Sequence, residues 1–449
     1  MTTELLQQVR VIDPVSGTDE LVDVLIADNY IQAIAPHITD INSDTQIRDC
    51  RGLVLGTGLV DLYSHSGEPG FEERETLSSL LQAAAAGGFT RVSILPKTSP
   101  PIDNPALVAQ LQNISRGQGG QGDKETRRRG EVVNNIPASP RLSLSASFPL
   151  PHLQIWGAIT LDLAGKQLTE LADLATAGVV GFTDAKPWEN LGLVRRVLEY
   201  LLPLNIPVAF WPCDQQLAAN GVMREGADAI RLGLPPIPES AETAAIASLL
   251  ELIAATGNSH VHIMRVSTAR SVELIASAKA SGLPITASTT WMHLLLDTKA
   301  VKSYHTSLHL DPPLGTPRDV AALREGVRTG IIDAIAIDHA PFTYEEKVQA
   351  FAESPPGAIG YELALPLLWQ HLVETGEFTA LELWRALSTR PAECLRQQIT
   401  GLTANQKAEL TLFDPQQSWK VESKNLHTLS SNTPWLGQQL QGRVIQIWC

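Results

Sequence analysis

One histidine and two aspartates have the side chains and the placement that a metal site requires. His65, Asp184 and Asp338 each end a short run of mostly apolar residues that predicts a buried strand. Imidazole and carboxylate groups are common zinc ligands, and a catalytic zinc typically has three protein ligands and one open position. A metal held in this way activates a water molecule for hydrolysis. Three residues far apart in the sequence do not establish such a site by themselves.

The elements that must position these residues repeat along the chain. Eight strand-like runs alternate with helical patterns, several of which end in glycine, as helices often do. The runs cover residues 59–65, 91–96, 155–160, 179–184, 207–214, 260–267, 284–290 and 333–339. Eight such units predict an α/β fold, a (β/α)8 TIM barrel, whose active site lies at the C-terminal ends of the strands.

Both ends of the chain show strand patterns without the alternating helices. Short runs with Gly-, Asp- and Asn-rich turns fill residues 4–36, and strand signals return after residue 405. We therefore expect a small β domain formed by residues 1–55 and 401–449, beside a barrel over residues 56–400. A segment at about 115–142 interrupts the barrel pattern with a charge of +3. It is interpreted as a solvated loop, or alternatively as a docking arm for an acidic partner.

Composition excludes several classes of protein. The chain has 449 residues and a net charge of −14, which disfavours a nucleic-acid partner. We find no run of 18 apolar residues, so we expect no membrane span, and the first residues lack the pattern of a secretory signal. Four scattered cysteines suit a reducing compartment. We expect a cytoplasmic protein.

Four long segments carry a specific resemblance to a known family. They read GLVDLYSHSGEPGFEERETLSSLLQAAAAGGFTRVSILPKTSPPIDNP, GVMREGADAIRLGLPPIPESAE, VSTARSVELI, and DAIAIDHAPFTYEEK followed by SPPGAIGYELALPLL. The chain resembles the dihydroorotases of the amidohydrolase superfamily. That resemblance implies a metal-dependent barrel with a small β-sandwich built from both termini. It also implies the reversible cyclisation of carbamoyl aspartate to dihydroorotate, a step of pyrimidine biosynthesis.

Three of the six metal-ligand positions of the family hold a matching residue in this chain. The second histidine of the family's H-x-H motif is His65, and the ligand after strand 4 corresponds to Asp184. The aspartate after strand 8 corresponds to Asp338, which the family uses both as a metal ligand and as a proton shuttle. If the protein is active, Asp338 is therefore its catalytic residue, and zinc is its cofactor.

The other three ligand positions, all histidines in the family, are replaced. Tyr63 stands at the first position of the H-x-H motif, Trp211 follows strand 5, and Arg265 follows strand 6. An indole N–H cannot ligate a metal, and a guanidinium places a fixed positive charge near the position of the cation.

The substrate clamp implied by the resemblance is also altered. Gly67 stands where the family has a carboxylate-binding arginine, Lys97 where it has an asparagine, and Phe342 where it has a histidine. Lys97 remains a candidate substrate-binding residue, but a lysine cannot grip a carboxylate bidentately.

We interpret these replacements as a metal centre rebuilt into a salt-bridged plug. Arg265 would neutralise the aspartates, with Lys97 or Lys186 adding charge, while Tyr63 and Trp211 would fill the vacated volume. The first hypothesis is a catalytically degenerate protein, possessing no cofactor, that acts as a structural or regulatory partner of aspartate transcarbamoylase, the preceding enzyme of the pathway.

Two alternatives stay open. One is an active cyclic amidohydrolase with a reduced one-metal site of His65, Asp184 and Asp338, acting on dihydroorotate or a related cyclic amide. The other is small-ligand binding in the rebuilt pocket. In each case we expect a homo-oligomer that binds neither nucleic acid nor membrane.

Overall fold

The computed structural model describes residues 3–115, 148–257 and 260–449. The predicted insertion at about 115–142 lies outside these ranges, apart from Ser115. The strands are β1 (Thr3–Asp13), β2 (Thr18–Ala27), β3 (Tyr30–Ala35), β4 (Gln46–Asp49), β5 (Val54–Thr57), β6 (Leu59–Ser64), β7 (Phe89–Ile94), β8 (His152–Gly157), β9 (Gly181–Phe182), β10 (Val208–Phe210), β11 (Met223–Arg224), β12 (Pro236–Ile237), β13 (Val261–Ile263), β14 (Ile285–Thr290), β15 (Ala334–Ala336), β16 (Leu410–Lys420) and β17 (Gln439–Trp448).

Helices follow most of the strands. They are α1 (Leu77–Ala86), α2 (Pro105–Ser115), α3 (Leu171–Thr176), α4 (Leu191–Leu201), α5 (Gln215–Ala218), α6 (Ala227–Leu232), α7 (Ser240–Thr256), α8 (Ala269–Ala280), α9 (Trp291–Leu295), α10 (Pro317–Thr329), α11 (Tyr344–Lys347), α12 (Tyr361–Leu368), α13 (Ala380–Leu387) and α14 (Thr389–Cys394). No helix in the described ranges is long and apolar enough to cross a bilayer.

Eight parallel strands form the barrel, in the order β6-β7-β8-β9-β10-β13-β14-β15. Each overlaps one of the eight predicted runs. The ring closes through backbone hydrogen bonds between its first and last units, from Asp338 to Tyr63 (3.1 Å) and from His65 to His339 (2.8 Å). The predicted TIM barrel is confirmed, and the polar residues that follow β6 and β15 meet at its mouth.

Helix α4 shows how the sequence builds the outer layer. Its buried residues are Val194, Val197, Leu198 and Leu201, the spacing of one apolar stripe on an α-helix. Asn190 caps the helix by accepting a hydrogen bond from the backbone N–H of Leu193. The stripe packs on the barrel, so the mouth is supported by a rigid wall.

Both termini contribute to one separate sheet, as predicted. Its order is β17-β16-β5-β1-β2-β3, and β4 pairs with β1. Its own core contains Leu6, Val24, Leu55 and Leu412. The boundaries at residues 55 and 400 stay predictions.

An ion pair joins the barrel to the C-terminal part of the chain. Arg91 of β7 donates two hydrogen bonds of 2.7 Å to the carboxylate of Glu409, which precedes β16. Burial alone would raise the pKa of Glu409, but the hydrogen bonds and the charge of Arg91 lower it. The two side chains are only 15% and 14% exposed, so their attraction is weakly screened.

We predict that Arg91→Met lowers the free energy of unfolding by about 2–4 kcal/mol, because Glu409 is left with a poorly solvated charge. Urea unfolding measures the loss. Arg195→Met is the matched control, since its exposed pair with Glu199 on α4 contributes less than about 1 kcal/mol.

The free energy of unfolding lost in Arg91→Met depends on pH, and the direction follows from the pKa shift of Glu409. Because the pKa of Glu409 is lowered in the folded state, its stabilising effect is complete at neutral pH and disappears as the pH falls through that pKa. The difference between the wild type and Arg91→Met should therefore shrink in acid. A difference that stayed constant from neutral to acid pH would contradict this role for the pair.

Candidate functional site

A cavity of about 530 Å³ opens at the C-terminal ends of the barrel strands. His65 follows β6, Trp211 follows β10, Arg265 follows β13 and Asp338 follows β15, and all four line the cavity. The alternation of strands and helices brings them together although they are up to 273 residues apart in sequence, which is 338 minus 65.

Arg265 bridges two of the three predicted remnant metal ligands, His65 and Asp338. Its Nη2 atom lies 2.6 Å from Oδ1 of Asp338 and 3.2 Å from Nε2 of His65. The same two partner atoms are 3.8 Å from each other. The guanidinium is only 5% exposed, so this is a buried ion pair with a hydrogen-bonded histidine beside it.

The protonation of His65 fits this arrangement. Burial, followed by the charges of Arg265 and Lys97, holds the pKa of His65 well below its ordinary value. The imidazole is therefore neutral at pH 7, and its Nε2 accepts the hydrogen bond from Arg265.

Two aromatic side chains enclose the guanidinium. The ring centroid of Trp211 lies 4.5 Å from Cζ of Arg265, and that of Tyr63 lies 5.9 Å away. The hydroxyl of Tyr63 accepts a hydrogen bond from the backbone N–H of Arg265 (3.1 Å) and pairs with the hydroxyl of Ser288 (2.9 Å). Cation–π contacts with desolvated rings stabilise a buried cation.

The backbone at the ion pair is strained. Arg265 has a φ of 54° and Asp338 has a φ of 49°, in the left-handed region that non-glycine residues rarely adopt. Such conformations cost of order 1–3 kcal/mol each and persist only where the surroundings fix them. The barrel therefore holds both members of the pair in position before they interact.

Asp184 does not join this cluster. Its carboxylate accepts hydrogen bonds from the backbone N–H groups of Ile159 (2.8 Å) and Thr160 (2.9 Å) and from the Thr160 hydroxyl (2.6 Å). Burial raises the pKa of Asp184 above its usual range, although these bonds oppose the shift. Our expectation that Arg265 neutralises both aspartates therefore holds for Asp338 only.

The donor set does not fit a metal ion. Across residues 3–115, 148–257 and 260–449, no three His, Cys, Asp or Glu side chains group in a way that could hold one. Arg265 directs its donors at His65 and Asp338, the two candidate ligands that do meet. A cation between them would have to displace a guanidinium that is already bonded to both.

The residues at the positions of the substrate clamp play other roles. A Cβ on Gly67 would lie 2.3 Å from the backbone oxygen of Glu75, so this backbone leaves no room for a side chain. Phe342 packs against Arg74 and Lys347, with Cζ of Arg74 5.0 Å and Nζ of Lys347 4.9 Å from its ring centroid. Lys97 lines the cavity.

Comparison with known proteins gives the family. No protein-family model matches the chain. The chain is 45% identical to a probable dihydroorotase-like protein of Synechocystis sp., over 99% of both chains. It is 38% identical to a dihydroorotase of Pelotomaculum thermopropionicum, over 98% of this chain and 95% of the relative. The chain belongs to the dihydroorotase family.

Solved structures share the overall fold of this chain. An L-hydantoinase (dihydropyrimidinase) from Arthrobacter aurescens matches with a TM-score of 0.79 and 20% identity, over 100% of this chain and 97% of the other. A dihydropyrimidinase from Brevibacillus agri matches with a TM-score of 0.75 and 18% identity, over 99% and 94%. At such identities the likeness concerns the fold alone.

Sequence reasoning missed three charged residues of this dihydroorotase-family cavity, Arg74, Asp162 and Asp311. Asp311 lines the mouth, but it lies in the loop between α9 and α10 and does not end a strand. An aspartate before two prolines, in HLDPPLG, reads as an ordinary turn. Only its position in the folded chain distinguishes it.

We predict that Arg265→Met destabilises the protein by roughly 3–5 kcal/mol, because Asp338 is left as an uncompensated, largely buried charge. Adding Asp338→Asn should recover most of the loss, since the double variant contains neither charge. Urea unfolding of the wild type, both single variants and the double variant measures the coupling. The control is Arg318→Met, whose pair with Glu273 is exposed. An Arg265→Met variant that is as stable as the Arg318→Met control would contradict the salt-bridged plug.

Proposed function

We propose that this member of the dihydroorotase family does not hydrolyse cyclic amides and acts in pyrimidine biosynthesis as a structural or regulatory partner of aspartate transcarbamoylase. The hydrogen bonds that Arg265 donates to both Asp338 and His65 carry this proposal. They engage the two groups on which metal binding and proton transfer would depend.

Hydrolysis of a cyclic amide requires an activated water and a base. A metal ion supplies the activated water by lowering its pKa, and a carboxylate in the position of Asp338 takes the proton. In this chain a carboxylate oxygen of Asp338 already pairs with Arg265 at 2.6 Å. The guanidinium therefore competes with a substrate water for this oxygen.

Substrate binding is altered independently of the metal site. Gly67 stands where the family has a carboxylate-binding arginine, and the backbone of Glu75 excludes a side chain there. Phe342 stands where the family has a histidine, and its ring packs against Arg74. An active dihydroorotase would need both a metal site and a carboxylate clamp, and this barrel mouth has changed in both.

A role as a partner is supported by the resemblance and by the surface. Dihydroorotase chains of the wider family associate with aspartate transcarbamoylase. On this chain Ile230 of α6 is 84% exposed, and Tyr344 and Val348 around α11 are 75% and 59% exposed. Two residues of one loop bond to the ends of both helices. Tyr304 donates a hydrogen bond to the Leu232 carbonyl at the end of α6, and Thr306 donates one to the Lys347 carbonyl at the end of α11. We take these exposed apolar side chains as the candidate contact surface, since larger apolar patches mark protein contacts.

We predict that protein purified with zinc supplied retains less than about 0.1 equivalent of metal, because Arg265 already engages His65 and Asp338. We also predict no dihydroorotase activity, because the reaction requires a metal-activated water. Inductively coupled plasma mass spectrometry and a coupled assay in both directions measure this. An authentic dihydroorotase carried through the same purification is the positive control.

Arg265→His should not restore metal or activity, since Trp211 and Tyr63 still occupy two further ligand positions. Close to one tightly held equivalent of metal in the wild type would contradict the proposal. It would favour the alternative, a one-metal amidohydrolase that uses His65, Asp184 and Asp338.

We predict that the chain co-elutes with aspartate transcarbamoylase of the same organism in size-exclusion chromatography. Ile230→Asp combined with Tyr344→Asp should abolish co-elution, because charges in an apolar contact are costly. Leu21→Asp is the control, as Leu21 is 61% exposed on β2 of the other sheet. Separate elution of the wild type at all ratios, or co-elution unaffected by the double substitution, would contradict this contact.

A further inference from the structure

Two opposite charges in the barrel-mouth cavity have no partner in the described structure. Lys97 and Asp311 both line the cavity. Within the three described ranges neither side chain forms an ion pair or a hydrogen bond, and neither lies within 4.0 Å of the other's charged atoms. Three other charges of the lining are engaged, because Arg265 pairs with Asp338 and Arg74 pairs with Glu346.

The segments that carry the two charges are each held by their own hydrogen bonds. Lys97 follows β7, where the backbone N–H of Leu95 bonds to Ser64 and the Thr98 hydroxyl donates to the Pro100 carbonyl. Asp311 lies on the loop between α9 and α10, between His309, whose carbonyl accepts from Gly357, and Pro312, whose carbonyl pairs with His293. The backbone on either side of each charge is therefore fixed in the described structure.

The two charges influence each other across the cavity, to which both residues are exposed. Burial lowers the pKa of Lys97, Arg265 and Lys186 lower it further, and Asp311 and Asp338 oppose the shift. Burial raises the pKa of Asp311, with Arg265 and Lys97 opposing the shift. Each group therefore feels the charge of the other without a direct contact, and a molecule carrying both signs of charge would give each of them a direct partner.

Lys186 adds a second cation to the lining. Its ammonium donates only a long bond of 3.4 Å to the Leu163 carbonyl. Asp162 is the remaining charged residue of the lining, and it is exposed, as Lys97, Lys186 and Asp311 are. The lining therefore offers cationic and anionic side chains to one bound molecule.

We propose that this cavity binds a free amino acid as a zwitterion, with its carboxylate toward Lys97 and Lys186 and its ammonium toward Asp311. A volume of about 530 Å³ accommodates a molecule of this size together with water. A full carboxylate at Asp311 favours a cationic ammonium over the neutral N–H of a cyclic amide. This binding requires no hydrolysis, so it goes beyond the function proposed above.

Isothermal titration calorimetry of the full chain at low salt tests the proposal. The probes are L-alanine, L-aspartate and L-glutamate, each compared with its analogue without the amino group: propionate, succinate and glutarate. We expect at least one amino acid to bind at least about tenfold more tightly than its analogue, because only the amino acid engages Asp311.

Two substitutions separate the two ends of the ligand. Asp311→Asn should weaken binding of the amino acid by at least about tenfold and leave binding of the analogue unchanged or tighter, since only the ammonium loses its partner. Lys97→Met should weaken both ligands, because both carry the carboxylate. The control is Lys302→Met, an exposed lysine outside the cavity. Thermal unfolding checks that each variant is folded.

Three results would overturn the proposal. They are no binding of any probe up to 10 mM, roughly the weakest affinity that calorimetry resolves, equal affinity for an amino acid and its analogue, and unchanged amino-acid binding by folded Asp311→Asn. None of these measurements involves turnover or the proposed partner. Failure of these tests therefore leaves the proposed function intact. Conversely, hydrolysis of dihydroorotate would contradict the proposed function without supporting amino-acid binding.

Discussion

The barrel mouth depends on one buried cation, the guanidinium of Arg265. A buried charge is tolerated only when it is paired and hydrogen-bonded, and Arg265 obtains both from Asp338 and His65. The low dielectric that makes the pair strong would make either partner costly alone. The surrounding aromatic rings and the left-handed backbone at Arg265 and Asp338 follow from this requirement, since they hold the charges where they can meet.

Residues in the C-terminal part of the chain also hold the loops of the barrel mouth in place. Asn432 donates to the carbonyls of Ala340 and Gly357, and buried Glu75 accepts from the backbone of Leu429 and the hydroxyl of Thr428. Because Gly67 packs against the backbone of Glu75, the loss of a side chain there is part of this packing. Restoring an arginine at position 67 would need a different loop, so the clamp cannot be recovered by exchanging one residue.

Much of the fold could be predicted from sequence, because it depends on local patterns. Eight apolar runs and their intervening helices give the barrel, and the strand signals at both ends give the second sheet. The pairing of Arg265 with Asp338 was also predictable, since a lost cation site leaves a carboxylate that needs a counter-charge. The environment of Asp184 was not, because its partners are backbone N–H groups whose direction depends on the end of β8. Asp311 escaped for a similar reason, as a loop residue whose role depends on what lies across the cavity.

The replacements at the mouth make physical sense only as a set. Arg265 in a site with metal would repel the cation, while loss of the metal without Arg265 would leave Asp338 buried and uncompensated. Trp211 is buried and faces the guanidinium at 4.5 Å, so part of its stabilising effect depends on Arg265. The replacements therefore depend on one another, as expected in a packed, low-dielectric site. Coupled replacements of this kind are confined to the barrel mouth, so the fold and the outer surface do not depend on them. Association with another protein and capture of a small charged molecule are both compatible with such a barrel, because neither depends on an activated water.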